Sequence, residues 1–262
     1  MNTEKLNIMK RIHGLDEVYV PFFNGTRRPF LTCDQESFND QAWVFESKEE
    51  LEEKFRPYLE KKYSLSTAKI EKKRFLQFYA SLFTLGVNEI VITEKGNKET
   101  AFAIEEIIKI PEYSDKAEKG KPFYNPQLQL TAIYFLQELR RMIAAKEKCD
   151  LSELEEEMSV NLVKSKFIFP IEKQEVQKDQ VKSCCMKDKN GNVFQPVFSD
   201  ILEFQNFNRE GKFTGLTIEF KNLAKIVNQA AKGIIINPAG FNLVVFKEQF
   251  EGLLKKYGPE EQ

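Results

Sequence analysis

The run Asn237-Pro238-Ala239-Gly240 carries the most local information in the sequence. Pro at the second position of a tight turn has φ preset and Gly is favoured at the fourth, so the run reads first as a turn. Its other reading is an exposed contact loop with Asn237 as the polar hook. Asp34 and Asp200 each close an apolar stretch ahead of an expected helix start, where a carboxylate accepts from free amides. Two such residues would alternatively form a pair of acids. Asn237, Gly240, Asp200 and Asp34 are therefore the candidate ligand-binding residues, and none stands out as catalytic. His13, the single histidine, has no sequence partner that would make it a general base. Cys33, Cys149, Cys184 and Cys185 include a vicinal pair, which in a strand points to opposite faces. With no CxxC spacing, they suit neither a zinc site nor a disulfide framework. Cys33 and Cys184 sit in apolar stretches and read as buried, inert thiols. No P-loop, dinucleotide fingerprint, serine elbow or HExxH pattern occurs, so neither a metal nor a cofactor is expected.

Composition narrows the partners. Lys and Arg number 39 against 40 Asp and Glu, without the basic excess of a nucleic-acid binder. The cluster Lys69, Lys72, Lys73 and Arg74 reads as the solvated face of a helix. A polar N-terminus and the lack of an 18-residue apolar span predict a cytoplasmic protein with reduced thiols and no membrane partner. The 23 Phe read as core, and 262 residues suit two domains.

The elements that must position these residues are α and β in alternation. A helix over residues 2–12 precedes a strand over 18–23, the turn pair Asn24-Gly25 and a returning strand over 28–33. Ser47-Lys-Glu-Glu50 is a capping box for a helix toward residue 61, with a break or kink near Pro57. A second helix is expected over 67–85, then strands at 88–93 and 100–104 around Lys95-Gly96-Asn97. Residues 111–124 read as a linker. A strong helix opens at Asn125-Pro126, Ser152-Glu-Leu-Glu155 caps another, and strands follow at 166–170, 181–186 and 193–198. A helix near 222–231, a hairpin across Asn237 to Gly240 and a closing helix complete the chain.

Element order repeats between the halves, which predicts α+β architecture in two tandem divergent copies of one small domain. Each is a mostly antiparallel sheet packed with helices, over residues 1–110 and 125–262. The pairing sets residues 18–21 against 167–170, Asn24-Gly25 against Asn190-Gly191, Cys33-Asp34 against Ser199-Asp200, and Val44-Phe-Glu46 against Thr217-Ile-Glu219. Gly86 echoes Gly233, and the first copy is expected to hold an extra helix.

Pro196-Val-Phe-Ser-Asp200 and Gly233-Ile-Ile-Ile-Asn-Pro-Ala-Gly240 resemble the SseB (enhanced serine sensitivity) family, most clearly over residues 125–255. In the first copy, Thr93-Glu-Lys-Gly96 stands where Asn-Pro-x-Gly belongs. The resemblance implies a fold without a catalytic set. The expectation is a non-enzymatic binding or regulatory module for a protein or small molecule. The alternative is a small-metabolite sensor or enzyme with a site between the halves.

Overall fold

The computed structural model describes residues 3–110, 123–173 and 184–258. The chain forms two compact units, unit 1 from Met1–Pro111 with Leu136–Asp150 and unit 2 from Glu112–Phe135 with Leu151–Gln262. The expected linker, up to residue 122, lies outside the described residues, as do residues 181–183 of one expected strand.

Unit 1 opens on α1 (Thr3–Gly14), which buries Ile8, Met9 and Ile12. There follow β1 (Glu17–Phe23), β2 (Arg28–Pro29), β3 (Leu31–Cys33), β4 (Asp40–Phe45), α2 (Lys48–Glu60), β5 (Leu65–Glu71), a 3-10 turn, α3 (Phe75–Thr84), β6 (Glu89–Glu94), β7 (Lys98–Ala103) and α4 (Ile104–Ile107). β5 runs antiparallel to β1, and β1 meets β4 antiparallel at Tyr19 and Phe45. β4 is parallel to β6, which is antiparallel to β7. Leu51 and Phe55, four apart on α2, bury against Phe23, Phe30 and Phe45 of the sheet side. Each such side chain contributes about 2 kcal/mol or more by leaving water.

Several expectations need correcting here. Residues 65–71 are a strand, because β1 offers a seven-residue register and Ser66 and Thr67 are poor helix formers. The basic cluster therefore lies on β5 and the 3-10 turn, where Lys69 pairs with Glu17 at 2.9 Å and Lys73 with Glu71 at 2.7 Å. Asn24-Gly25 does not form a two-residue turn. The left-handed residue there is Arg27, at φ 55°, and Asn24 is tied instead to Ser64 and Ser66. Ser47 does cap α2, accepting from Glu50 N at 3.4 Å, but Glu50 reaches Gly96 N rather than back to the cap. Pro57 sits inside α2 without ending it.

Helix α5 (Pro126–Ala145) begins among the residues of unit 2 and ends among those of unit 1. In unit 1, Gln137 brackets the Leu31 backbone, accepting from its N–H and donating to its carbonyl, each at 3.1 Å. Glu138 accepts from the Tyr63 hydroxyl, and Arg140 donates to Gly25 O.

Unit 2 continues with α6 (Ser152–Lys164), β8 (Lys166–Glu172), β9 (Met186–Lys187), β10 (Val193–Val197), α7 (Ile201–Phe207), β11 (Phe213–Glu219), α8 (Phe220–Ile226), β12 (Gly233–Ile236), β13 (Leu243–Phe246) and α9 (Lys247–Tyr257). α6 starts one residue beyond Leu151 at its cap, so Ser152 is inside the helix rather than capping it. β11 is antiparallel to β8, and a single antiparallel bridge joins Ile168 to Phe198 just past β10. β10 is parallel to β12, which is antiparallel to β13.

Apart from the pairing of β1 with β2, which has no counterpart among the described residues of unit 2, the pairings of unit 2 follow those of unit 1. They set β8 with β1, β10 with β4, β11 with β5 and β12 with β6, so Thr217-Ile-Glu219 answers β5 rather than residues 44–46. Pro196 likewise lies on the counterpart of β4, not of the segment around Pro29. Among the described residues unit 1 holds no extra α-helix between β4 and β6; its added length includes α2, 13 residues against 7 in α7, and the 3-10 turn at Lys72–Arg74. Gly86 and Gly233 also differ, since Gly86 follows α3 at φ 82° while a Cβ on Gly233 would sit 2.1 Å from Val245 O.

Candidate functional site

The segment after β10 enters α7 through Ser199 and Asp200, both with no exposed surface. Asp200 is the N-cap: one carboxylate oxygen accepts from Leu202 N at 2.9 Å and Glu203 N at 3.0 Å. The other accepts from the Ser199 hydroxyl at 2.8 Å and from Gln129 Nε2 of α5 at 2.5 Å. Asn237 leaves the end of β12 in the left-handed region at φ 49°, which Asn tolerates better than most side chains. That turn aims its amide inward. Asn237 Oδ1 accepts from Ser199 N at 2.9 Å, and Nδ2 donates to Ser199 Oγ at 2.7 Å. Gly240 N closes the turn on Asn237 O at 2.8 Å. Asn125 fastens the same segment, donating to Ser199 O at 2.8 Å and Lys166 O at 2.7 Å.

Burial, and next the Glu203 charge, push the Asp200 carboxyl up to about 6, against the Glu203 and Leu202 amides and the Ser199 hydroxyl. Burial and the Asp200 charge also raise the Tyr124 phenol. Gln129 Oε1 is buried without a partner in the network. The ensemble is an internal staple. Its Ser hydroxyl already donates to a carboxylate that no substrate reaches, and every polar group of Asn237 and Asp200 faces the chain itself.

The structure therefore brings Asp200, Asn237 and Gly240 together and leaves Asp34 apart, in unit 1. Asp34 is only partly buried and precedes no helix. It closes the turn between β3 and β4, accepting from Ser37 N at 2.7 Å, Ser37 Oγ at 2.9 Å and Glu36 N at 3.0 Å. These bonds, Ser37's first, hold its carboxyl below the usual range. Its analogue in unit 2 is Asp188, which accepts from Asn190 N and Asn192 N at 2.8 Å between β9 and β10. Sequence reasoning passed over Ser199 and Gln129. The available signal was Gln129 itself, a polar residue beside Leu128, Leu130 and Ile133 on the buried side of α5.

Cys33 is exposed at the end of β3, and Cys184 is only partly buried and outside any strand. The expectation of buried thiols at both is therefore corrected. None of the four cysteines is in a disulfide, and burial raises the thiols of Cys184 and Cys185. Among the described residues no three His, Cys, Asp or Glu side chains gather as a metal cluster. No helix among them is long and apolar enough to cross a membrane.

Two open clefts lie in unit 2. One, of about 490 Å³, sits at the start of α5 beside Asn161 and Lys164. The larger, of about 690 Å³, lies where β11 ends and α8 begins, lined by Lys166, Ile218, Glu219, Asn222, Lys225 and Ile226. Glu219 is matched by Lys221 at 3.0 Å. Lys166 and Lys225 have no ion-pair partner among the described residues, so the cleft presents two ammonium groups beside apolar carbon.

Comparison with known proteins gives a match of the SseB protein N-terminal domain to residues 139–250, inside the span of the resemblance seen in the sequence. No curated protein matches the chain. Among solved structures, Anabaena Tic22 (protein transport) aligns at 8% identity over 85% of each chain with a TM-score of 0.21, too loose a superposition to inform the fold.

Proposed function

We propose that the chain is a tandem pair of divergent copies of one small domain, working in the cytoplasm as a non-enzymatic binding or regulatory module. The shared strand pairings and the Asp34–Asp188 correspondence support the duplication. The binding reading is carried by the cleft at the end of β11, where Lys166, Asn222 and Lys225 stand open. The polar residues singled out by sequence are by contrast bonded within the chain, so they serve as the frame rather than the contact surface. Small carboxylates are the ligands that fit two ammonium groups over apolar carbon.

A thermal-shift screen of small carboxylates against the full chain tests this, because a ligand of the folded state raises the melting temperature by mass action. A stabilising compound should lose its effect in Lys225→Glu and keep it in Asp34→Ala. Conversion of any bound compound into product, followed by NMR, would overturn the non-enzymatic reading.

A further inference from the structure

The outer edge of β11 leads into this cleft. Ile168 exchanges both backbone bonds with Phe198, at 2.8 and 3.0 Å, so alternation along β8 turns Phe167, Phe169 and Ile171 toward β11. Their partners are Ile218, Leu216 and Thr214. The amides and carbonyls of Gly215 and Thr217 therefore point outward, where no strand pairs with them among the described residues. Residues 214–217 are all exposed, Leu216 by 47%. Edge strands are ordinarily guarded by charge. β5, the counterpart in unit 1, carries Lys69 and Glu71, each in an ion pair. β11 has no charged residue from Phe213 to Ile218.

We propose that the β11 edge and its cleft bind an acidic peptide in extended conformation. The peptide adds to the sheet as a strand through Gly215 and Thr217 and sets a carboxylate against Lys166 and Lys225. Main-chain bonds of this kind give affinity, and side-chain contacts give selectivity. Charge complementarity favours this occupant, since Lys221 already matches Glu219 and the two remaining ammonium groups call for an anion. The proposal rests on reading unit 2 as a binding module.

The test uses the full chain against a displayed library of random dodecapeptides, followed by fluorescence anisotropy of the enriched peptide. The expected peptides alternate β-branched residues and contain Asp or Glu. Affinity should fall about tenfold or more in Lys225→Glu. It should also be lost in Thr217→Pro, which removes an outward amide while leaving the β8 ladder intact, and be kept in Lys69→Glu on β5. Thermal melts report whether each variant folds, and Thr217 N-methylation by semisynthesis replaces the proline if it does not. Failure to enrich a peptide, a basic consensus, or undiminished binding without the Thr217 amide overturns the proposal. So does a dimer in sedimentation that Thr217→Pro dissociates, which would assign the edge to a second copy. If small carboxylates stabilise the chain through Lys225 while no peptide binds, strand addition falls and the binding module stands; if neither binds, both fall.

Discussion

In unit 1, Glu46 N donates to the backbone carbonyl of Thr93 at 3.2 Å, so β4 and β6 end in an ordinary ladder bond. At the corresponding point in unit 2, Ser199 N donates at 2.9 Å to the side chain of Asn237, whose backbone has already turned away. The helix caps differ in the same direction. Ser47 receives one long bond at a half-buried site, whereas Asp200 receives four in the interior. The same topology is thus closed by backbone in one unit and by a buried side-chain network in the other. A network of that kind ties distant segments into one cooperative piece but is costly to leave half-made.

The largest effect should come from the caps. Asp200→Ala leaves two amides, a hydroxyl and the Gln129 amide without an acceptor and should cost about 4 kcal/mol. Ser47→Ala should cost about 1 kcal/mol. Equal losses in urea unfolding would break the comparison.

Next comes pH. The folded-state carboxyl of Asp200 stands near 6 against an ordinary value of 3.8. Between those values the folded chain holds more proton than the unfolded one, so Asp200 makes stability rise as pH falls from 6 toward 4, and its slope dies away as pH rises past 6. Wild type should therefore gain on Asp200→Asn over that interval, by up to about 3 kcal/mol. Asp34, held low by its turn, acts with the opposite sign. A difference between wild type and Asp200→Asn that stays flat with pH would remove the buried-acid assignment.

Smaller still, Asn237→Ala should cost about 2 kcal/mol, from two buried bonds and a left-handed backbone. Its counterpart should go the other way. The Thr93 hydroxyl is buried without a partner among the described residues, so Thr93→Val should raise stability by about 1 kcal/mol. A destabilised Thr93→Val would show that unit 1 also relies on a side chain at this point.

Local chemistry was legible in the sequence wherever it decided the outcome alone. Ser47 caps α2, and Gly96 and Asn97, at φ 89° and 60°, turn β6 into β7. What escaped depended on remote partners. β5 is a strand because β1 lies beside it. Asp34 and Asp200 look alike after an apolar stretch, and only Gln129, Ser199 and burial separate an exposed turn from an interior cap. A likeness of element order between the halves was legible, but which strands correspond in pairing was not, because Asn-Gly pairs recur in turns that are not equivalent.

β8 meets the segment after β10 through one reciprocal pair, Ile168 and Phe198, and two residues on stands Pro170, which has no amide to donate toward that side. The strands on either flank are by contrast stitched along their length. Under tension or twist, the sheet of unit 2 therefore behaves like two stiff panels joined at a single rivet. A torque that would have to shear seven residue pairs between β8 and β11 needs to rotate only two bonds here. Asn125 is the clamp across that rivet, because its side-chain amide donates both to Lys166 O on β8 and to Ser199 O beyond β10.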